Sequence, residues 1–339
     1  MILQNRAHWN RTERLRRVLR RSTSGILLLA CMVISPCLAR AQWLPDKTVR
    51  TLVPFAPGGA ADVLARIVAQ QVTKTTGQQM LIENRPGGGT VPATEAVARA
   101  TPDGATLLLL ANSFVINPSL RATLPYQPLT SFEPVCHLAY APTVFAVQRS
   151  SPFKTLDELL AAAKAPSATI TMAGVGPATS VHISIEMLKR AAKANYVYVA
   201  FPGGTPAVTN LLGGHVTSAL ANYSEVQANL GTDLRPLAIG ADKRLTAHPE
   251  VPTLAEAGFP DIDATTWFGM AAPAGTPQAV VDRIIGAVQG ALEAREVRDK
   301  LEGVGLFPVG TCGRQFADFL KRQLDMFARA IKEAGIKQE

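Results

Sequence analysis

From residue 48 onward the chain alternates short apolar runs of β-forming residues with stretches whose apolar positions recur every three or four. That pattern predicts strands at 49–55, 79–83, 106–111, 143–147, 169–173, 196–201, 216–221, 234–240 and 267–271. Helices are predicted after Gly59, Thr90, Thr155, Thr179, Thr205, Ser224, Thr253, Thr276 and Thr311, and Thr155-Leu-Asp-Glu158 has the spacing of a capping box. In the last helix, 315–334, Phe316, Phe319, Leu320, Leu324, Phe327 and Ile331 fall on one stripe, which suits packing onto a core. Strands alternating with helices imply an α/β architecture with mostly parallel sheets.

One stretch, 51–62, says most about function. An apolar run ends at Phe55-Ala56, Pro57-Gly58-Gly59 turns the chain, and Ala60 opens a helix with Val63, Leu64, Ile67, Val68 and Val72 on one face. Glycines carry no Cβ, so a ligand can approach their backbone closely. The first-turn amides of a helix lack intrahelical partners, and the macrodipole makes that end electropositive. Strand, glycine turn and helix start together form an anion-binding device. A plain tight turn needs the same residues, but the device recurs. Pro86-Gly87-Gly88 and Pro202-Gly203-Gly204 repeat it, and Gly174-Val175-Gly176 is a fourth glycine turn between a strand and a helix. In open α/β sheets such turns lie at the carboxyl ends of the strands, where ligands bind. An early and a middle set imply two lobes facing one cleft, with 42–144 plus 267–339 in one lobe and 145–266 in the other.

Charge narrows the picture. The formal net charge is +8, but residues 1–41 hold eight arginines and one acid, Glu13. The remainder has 26 basic and 25 acidic residues (34 less 8 and 26 less 1), so a nucleic-acid footprint is not supported there. The N-terminus itself reads as an export signal, with basic residues from Arg11 to Arg21, an uncharged apolar run from Gly25 to Leu38, and Ala39-Arg40-Ala41 as a small-x-small cleavage site. Residues 1–41 are thus expected to be removed, leaving a periplasmic protein that starts at Gln42; lipidation at Cys31 is the weaker rival. Cys136 and Cys312 then remain, and they are expected as two buried thiols, with a disulfide as the alternative that the periplasm permits.

Several chemistries are missing. No glycine turn is followed by the Lys-Ser/Thr of a phosphate loop, the third glycine of a dinucleotide fingerprint is absent, and there is no nucleophile elbow. Ser151-Pro-Phe-Lys154 matches S-x-x-K without the elements that accompany it in hydrolases. His137, His182, His215 and His248 show no metal-ligand spacing, so no cofactor or metal is expected. His182 could face the cleft or fill a structural role; Asp62 could support its helix start or meet a ligand amine or hydroxyl.

Taken in order, the motifs resemble a known family. Val53-Pro-Phe-Ala-Pro-Gly-Gly59 with Asp62 is followed by Glu83-Asn-Arg-Pro-Gly-Gly88, Ala100-Thr-Pro-Asp-Gly104, Ile116-Asn-Pro-Ser-Leu120, and Leu124-Pro-Tyr126 with Phe132-Glu-Pro-Val135. Later come Leu211-Leu-Gly-Gly214, Val251-Pro-Thr-Leu-Ala-Glu-Ala-Gly258, Trp267-Phe-Gly269 and Ala272-Pro-Ala-Gly-Thr-Pro277. From about Trp43 to the C-terminus the chain resembles the Bug-type solute receptors of tripartite tricarboxylate transport systems. The resemblance implies a monomeric, non-enzymatic periplasmic binding protein of type II-like fold, closing two α/β lobes on a small organic carboxylate for delivery to a membrane permease. A sensory receptor for a membrane kinase is the alternative of the same architecture, and a secreted hydrolase using Ser151 and Lys154 the alternative of another class.

The resemblance also implies a site. Loops 55–60 (Phe55, Ala56, Pro57, Gly58, Gly59, Ala60) and 174–179 (Gly174, Val175, Gly176, Ala178, Thr179) would hold the ligand carboxylates, with Asp62, Ser113, Phe114, His182, Phe201, Pro202, Gly203 and Asn222 around them. Three departures stand out: Ala200-Phe-Pro-Gly-Gly204 replaces a Pro-Tyr-Lys-Gly-Gly run, extra residues precede His182, and Phe114 occupies a usually polar position. They imply a less polar pocket, suited to an aromatic or hydrophobic carboxylate.

Overall fold

The computed structural model describes residue 44 and residues 47–165, 169–333 and 335–336. The export signal and Cys31 lie outside these residues. Among the described residues the chain forms two mixed sheets flanked by helices.

In the first sheet β1 (Val49–Val53) pairs in parallel with β2 (Met80–Asn84) on one side and β3 (Thr106–Ala111) on the other. A helix begins beyond the carboxyl end of each: α1 (Ala60–Thr76), α2 (Val91–Ala98) and α3 (Ser113–Leu120). β4 (Phe132–Ala141) runs through Pro142 into β5 (Thr143–Gln148), and there the chain passes to the second sheet. After α4 (Leu156–Ala162), β6 (Thr171–Val175) pairs in parallel with β7 (Val197–Phe201) and β8 (Ser218–Asn222). Their helices are α5 (Ser180–Ala191), α6 (Gly204–Leu212) and the single turn α7 (Tyr223–Val226). β9 (Leu234–Gly240) ends this sheet, and β10 (Thr266–Pro273) returns to the first, antiparallel between β3 and β4. The chain finishes with α8 (Gln278–Glu293), α9 (Arg295–Gly303), β11 (Phe307–Cys312) and α10 (Arg314–Glu333).

The sheets repeat one plan. Three parallel strands lie in the order second, first, third (β2-β1-β3 and β7-β6-β8), followed by an antiparallel strand delivered from elsewhere, β10 or β5. Alternation pointed to mostly parallel sheets; β5, β9 and β10, though predicted as strands, pair antiparallel and make each sheet mixed. β10 is buried at every position, as a strand covered on both faces must be. On one face of the first sheet Leu64, Val68 and Val72 of α1 meet Ile284, Val288 and Leu292 of α8. On the other, Phe316, Leu320, Phe327 and Ile331 of α10 pack with Phe114 and Ile116, so the C-terminal stripe is core.

Three expectations need correction. β4 and β11 were not anticipated, because Pro134 interrupts one run and Pro308 and Gly310 the other; β11 is an edge strand whose register shifts between Pro308 and Thr311. The helix expected after Thr253 is only a turn. Thr253 Oγ1 accepts from Glu256 N and Glu256 Oε2 accepts from Thr253 N, a complete cap, but the chain is turning away by Gly258 (φ +92°). Finally, Cys136 and Cys312 are not separate thiols. The β4–β11 register sets them opposite each other, Cα atoms 3.9 Å apart, and they form a disulfide across 176 residues.

Replacing both cysteines by alanine should lower unfolding stability by about 2–5 kcal/mol in urea titrations. His137, on β4, stacks on Phe319 with ring centroids 4.6 Å apart, and burial lowers its pKa to about 4. Unfolded histidine titrates near 6.5, so the stability this neutral ring confers is present above about pH 6.5 and lost as pH falls towards 4, by about 3 kcal/mol in all. A His137→Leu variant should therefore show a stability–pH slope shallower by about one proton across that window.

Candidate functional site

The carboxyl ends of β1, β3, β6 and β8 face one pocket, where each sheet's strand order reverses and open α/β sheets bind ligands. Each wall is built locally.

After β1, Phe55 and Ala56 lead into the glycine turn. Gly58 sits at φ +78°, a conformation that side-chain-bearing residues rarely adopt. Asp62 secures this turn from beneath: Oδ2 accepts from Gly58 N at 2.9 Å and from Arg66 Nε at 3.0 Å. Burial pushes the Asp62 carboxyl up, but hydrogen bonds from Arg66, Gly58 and Asn84 outweigh it and hold the group below its ordinary value. Phe55, Ala56, Gly59 and Ala60 line the pocket; Pro57, Gly58 and Asp62 do not, and Pro57 and Gly58 are exposed.

After β6, Thr179 is the N-cap of α5, its Oγ1 donating to Val175 O at 2.8 Å and accepting from His182 N at 3.2 Å. That cap presents Thr179, Ser180 and Val181 to the pocket beside Val175. His182 lies outside it, stacked on Tyr198 with centroids 4.7 Å apart. Gly174 is also outside; a Cβ there would press on Val181 and Tyr198. Ala178 is buried in the first lobe's core with Phe114.

After β3, Asn112 is tied to β10, Oδ1 accepting from Trp267 N at 3.0 Å and Nδ2 donating to Thr265 O at 3.2 Å. Ser113, the first residue of α3, lines the pocket and accepts a hydrogen bond from Thr90 Oγ1 at 3.1 Å. Phe114 is turned the other way, packed on Tyr126 and Phe132, so it does not reduce the polarity of the pocket. After β7, Gly203 faces Ala56, and Thr205 Oγ1 donates to Gly58 O at 3.1 Å, seating one lobe's glycine turn on the other's. Phe201, Pro202 and Gly176 line an adjoining groove with Gly87 to Thr90, the second Pro-Gly-Gly turn.

Among the lining residues not anticipated, with Asn112, Ser180, Gly204, Thr266 and Phe268, is Glu225. Its Oε2 accepts from Asn222 N at 3.0 Å, and its Oε1 reaches across the cleft to Ala60 N at 3.2 Å. Burial raises its pKa. Asn222-x-x-Glu225 after an apolar run has capping-box spacing, the one signal that could have pointed to it. Asn222 also lines the pocket, as do Thr266 and Phe268 from β10. Among the described residues this lining includes no Lys, Arg or His, and Glu225 is its one ionisable side chain. The positive potential comes instead from the starts of α1, α3, α5 and α6. Ser151 lies elsewhere, its Oγ accepting from Phe153 N at 3.3 Å within a turn.

Two α/β lobes with helix N-termini gathered in the cleft between them define a solute-binding receptor. A family profile described as the tripartite tricarboxylate transporter family receptor matches residues 64–336, and the chain belongs to that family. A relative from Pseudomonas sp. (strain P51), a UPF0065 protein in the tcbD-tcbE intergenic region, is 33% identical over 93% of this chain and 94% of its own. The structure of the periplasmic binding protein BugD superposes with a TM-score of 0.83 at 29% identity, covering 87% of this chain and 100% of its own. The R. palustris protein Rpa4515, solved with adipate, gives 0.82 at 28% identity over 87% and 99%.

The close approach at α6 can be tested with two glycines. A Cβ on Gly204 would overlap the Glu225 carboxyl, whereas one on Gly286, inside α8, meets nothing within 4 Å. Gly204→Ala should cost about 1–3 kcal/mol in thermal or urea unfolding, and Gly286→Ala should be neutral or stabilising by up to about 1 kcal/mol.

Proposed function

We propose that this receptor captures a small organic carboxylate between its lobes in the periplasm and delivers it to the membrane permease of a tripartite tricarboxylate-type system. The observation that carries the reading is the convergence of four helix starts on a pocket whose lining offers no cationic side chain. Oriented backbone amides and the helix dipoles suit a carboxylate there. Rpa4515 binding adipate supports the ligand class. Phe55, Val175 and Phe268 line the same pocket and suit an apolar ligand body.

Function then follows from closure. Among the described residues the chain changes sheets at Pro142 and along 241–265, and these two crossings would hinge a lobe built on the first sheet against a lobe built on the second, close to the divisions expected at 144/145 and 266/267. Ligand contacts made in the closed form alone shift the population towards it, and the permease reads that form. Export with cleavage after Ala41, action as a monomer and hand-over to the permease belong to the same proposal.

Native mass spectrometry of the protein from Gln42 onward, with denatured spectra as control, should show an acidic adduct that leaves on denaturation. A carboxylate panel should then raise thermal stability, by about 2.7 kcal/mol for a ligand at 100 times its Kd. Silence in both measurements would sink the reading.

A further inference from the structure

We propose that Glu225 sets the ligand class: a molecule with a carboxylate at one end and a hydrogen-bond donor, ammonium or hydroxyl, at the other. This rests on the receptor reading above and deepens it. At the starts of α1 and α6, where a ligand's second carboxylate would otherwise sit, the protein places a carboxyl of its own. Glu225 Oε1 accepts from Ala60 N at 3.2 Å, and the group lies so close over Gly204 that a Cβ there would overlap it. Oε2 accepts from Asn222 N at 3.0 Å. Each oxygen thus holds one backbone N–H, the Asn222 side chain is a further partner, and a carboxylate's remaining lone pairs can still accept.

The rest of the pocket lining differs. The starts of α3 and α5 contribute Ser113, Thr179 and Ser180, and the lining holds no acidic side chain besides Glu225. A ligand carboxylate suits these helix starts. A dicarboxylate reaching Glu225 would set two carboxyl groups side by side in a site that buries one of them, where both cannot stay ionised. An ammonium or hydroxyl in the same place gives Glu225 a further donor.

Matched ligands test this by calorimetry. Succinate is compared with 3-aminopropanoate and 3-hydroxypropanoate, glutarate with 4-aminobutanoate and 4-hydroxybutanoate, and terephthalate with 4-aminobenzoate and 4-hydroxybenzoate. Each set is titrated into the wild-type protein and into the Glu225→Ser and Glu225→Gln variants, with circular dichroism confirming their fold. In at least one set the wild type should bind an amino or hydroxy acid about 100-fold more tightly than the diacid, and Glu225→Ser should reverse that order. Glu225→Gln, similar in size but uncharged, should narrow the preference. Three results would overturn the inference. The wild type could bind a diacid as tightly as Glu225→Ser does. Both variants could weaken every ligand alike, which is what a purely structural strut between the lobes would do. If no acid in any set binds wild type or variants, the carboxylate-receptor reading falls and this inference with it.

Discussion

Everything in this fold that bears on function depends on amides at the starts of helices. In the interior of a helix each backbone N–H has a partner four residues back; in the first turn it has none. Placing four such turns around one cleft gathers their dipoles and their donors without a single basic side chain in the pocket lining. A lysine or arginine there would be a mobile point charge with a desolvation cost of its own. Backbone amides are held by the helices that carry them and bring no counter-charge. Local hydrogen bonds keep those turns rigid: Asp62 under Gly58, and Thr179 capping α5.

The repeated sheet plan explains why these turns meet. In each lobe the first parallel strand lies between the second and third, so the strand order reverses beside it. The turns leaving β1 and β6 therefore both open at a switch point, and the two switch points face each other. β10 and β5 enter antiparallel from the other side of each sheet and connect the lobes, so the same strands that complete the sheets carry the crossings. Glu225 adds a direct hydrogen bond from one lobe to the other, placing a titratable group among the amides.

Much of this was legible in the chain. The glycine turns, the strand-then-helix order, the buried stripe of α10 and the family resemblance all follow from local pattern, and local pattern is what sequence displays. The failures have equally physical causes. β11, with Pro308 and Gly310, has no strand signature of its own and is held by pairing with β4. Phe114 and Ser113 are neighbours on α3, yet one faces the core and the other the pocket, because successive helical residues point about 100° apart. For Asp62 and His182, sequence left a ligand contact and a structural role both open, because each sits in the first turn of a helix at the site; in the structure Asp62 is held by Gly58 and Arg66, and His182 stacks on Tyr198.

The sequence by itself determined which segments become strands and helices, where glycine must make a turn, and that the electropositive ends of several helices lie at strand ends. Those properties depend on residues within a turn or two of one another. Tertiary structure alone decided which turns share a pocket, that Cys136 stands opposite Cys312, and that Glu225 reaches Ala60 across 165 positions of chain. These are pairings between distant segments, set by strand order, register and the way two lobes meet, and no local pattern encodes them.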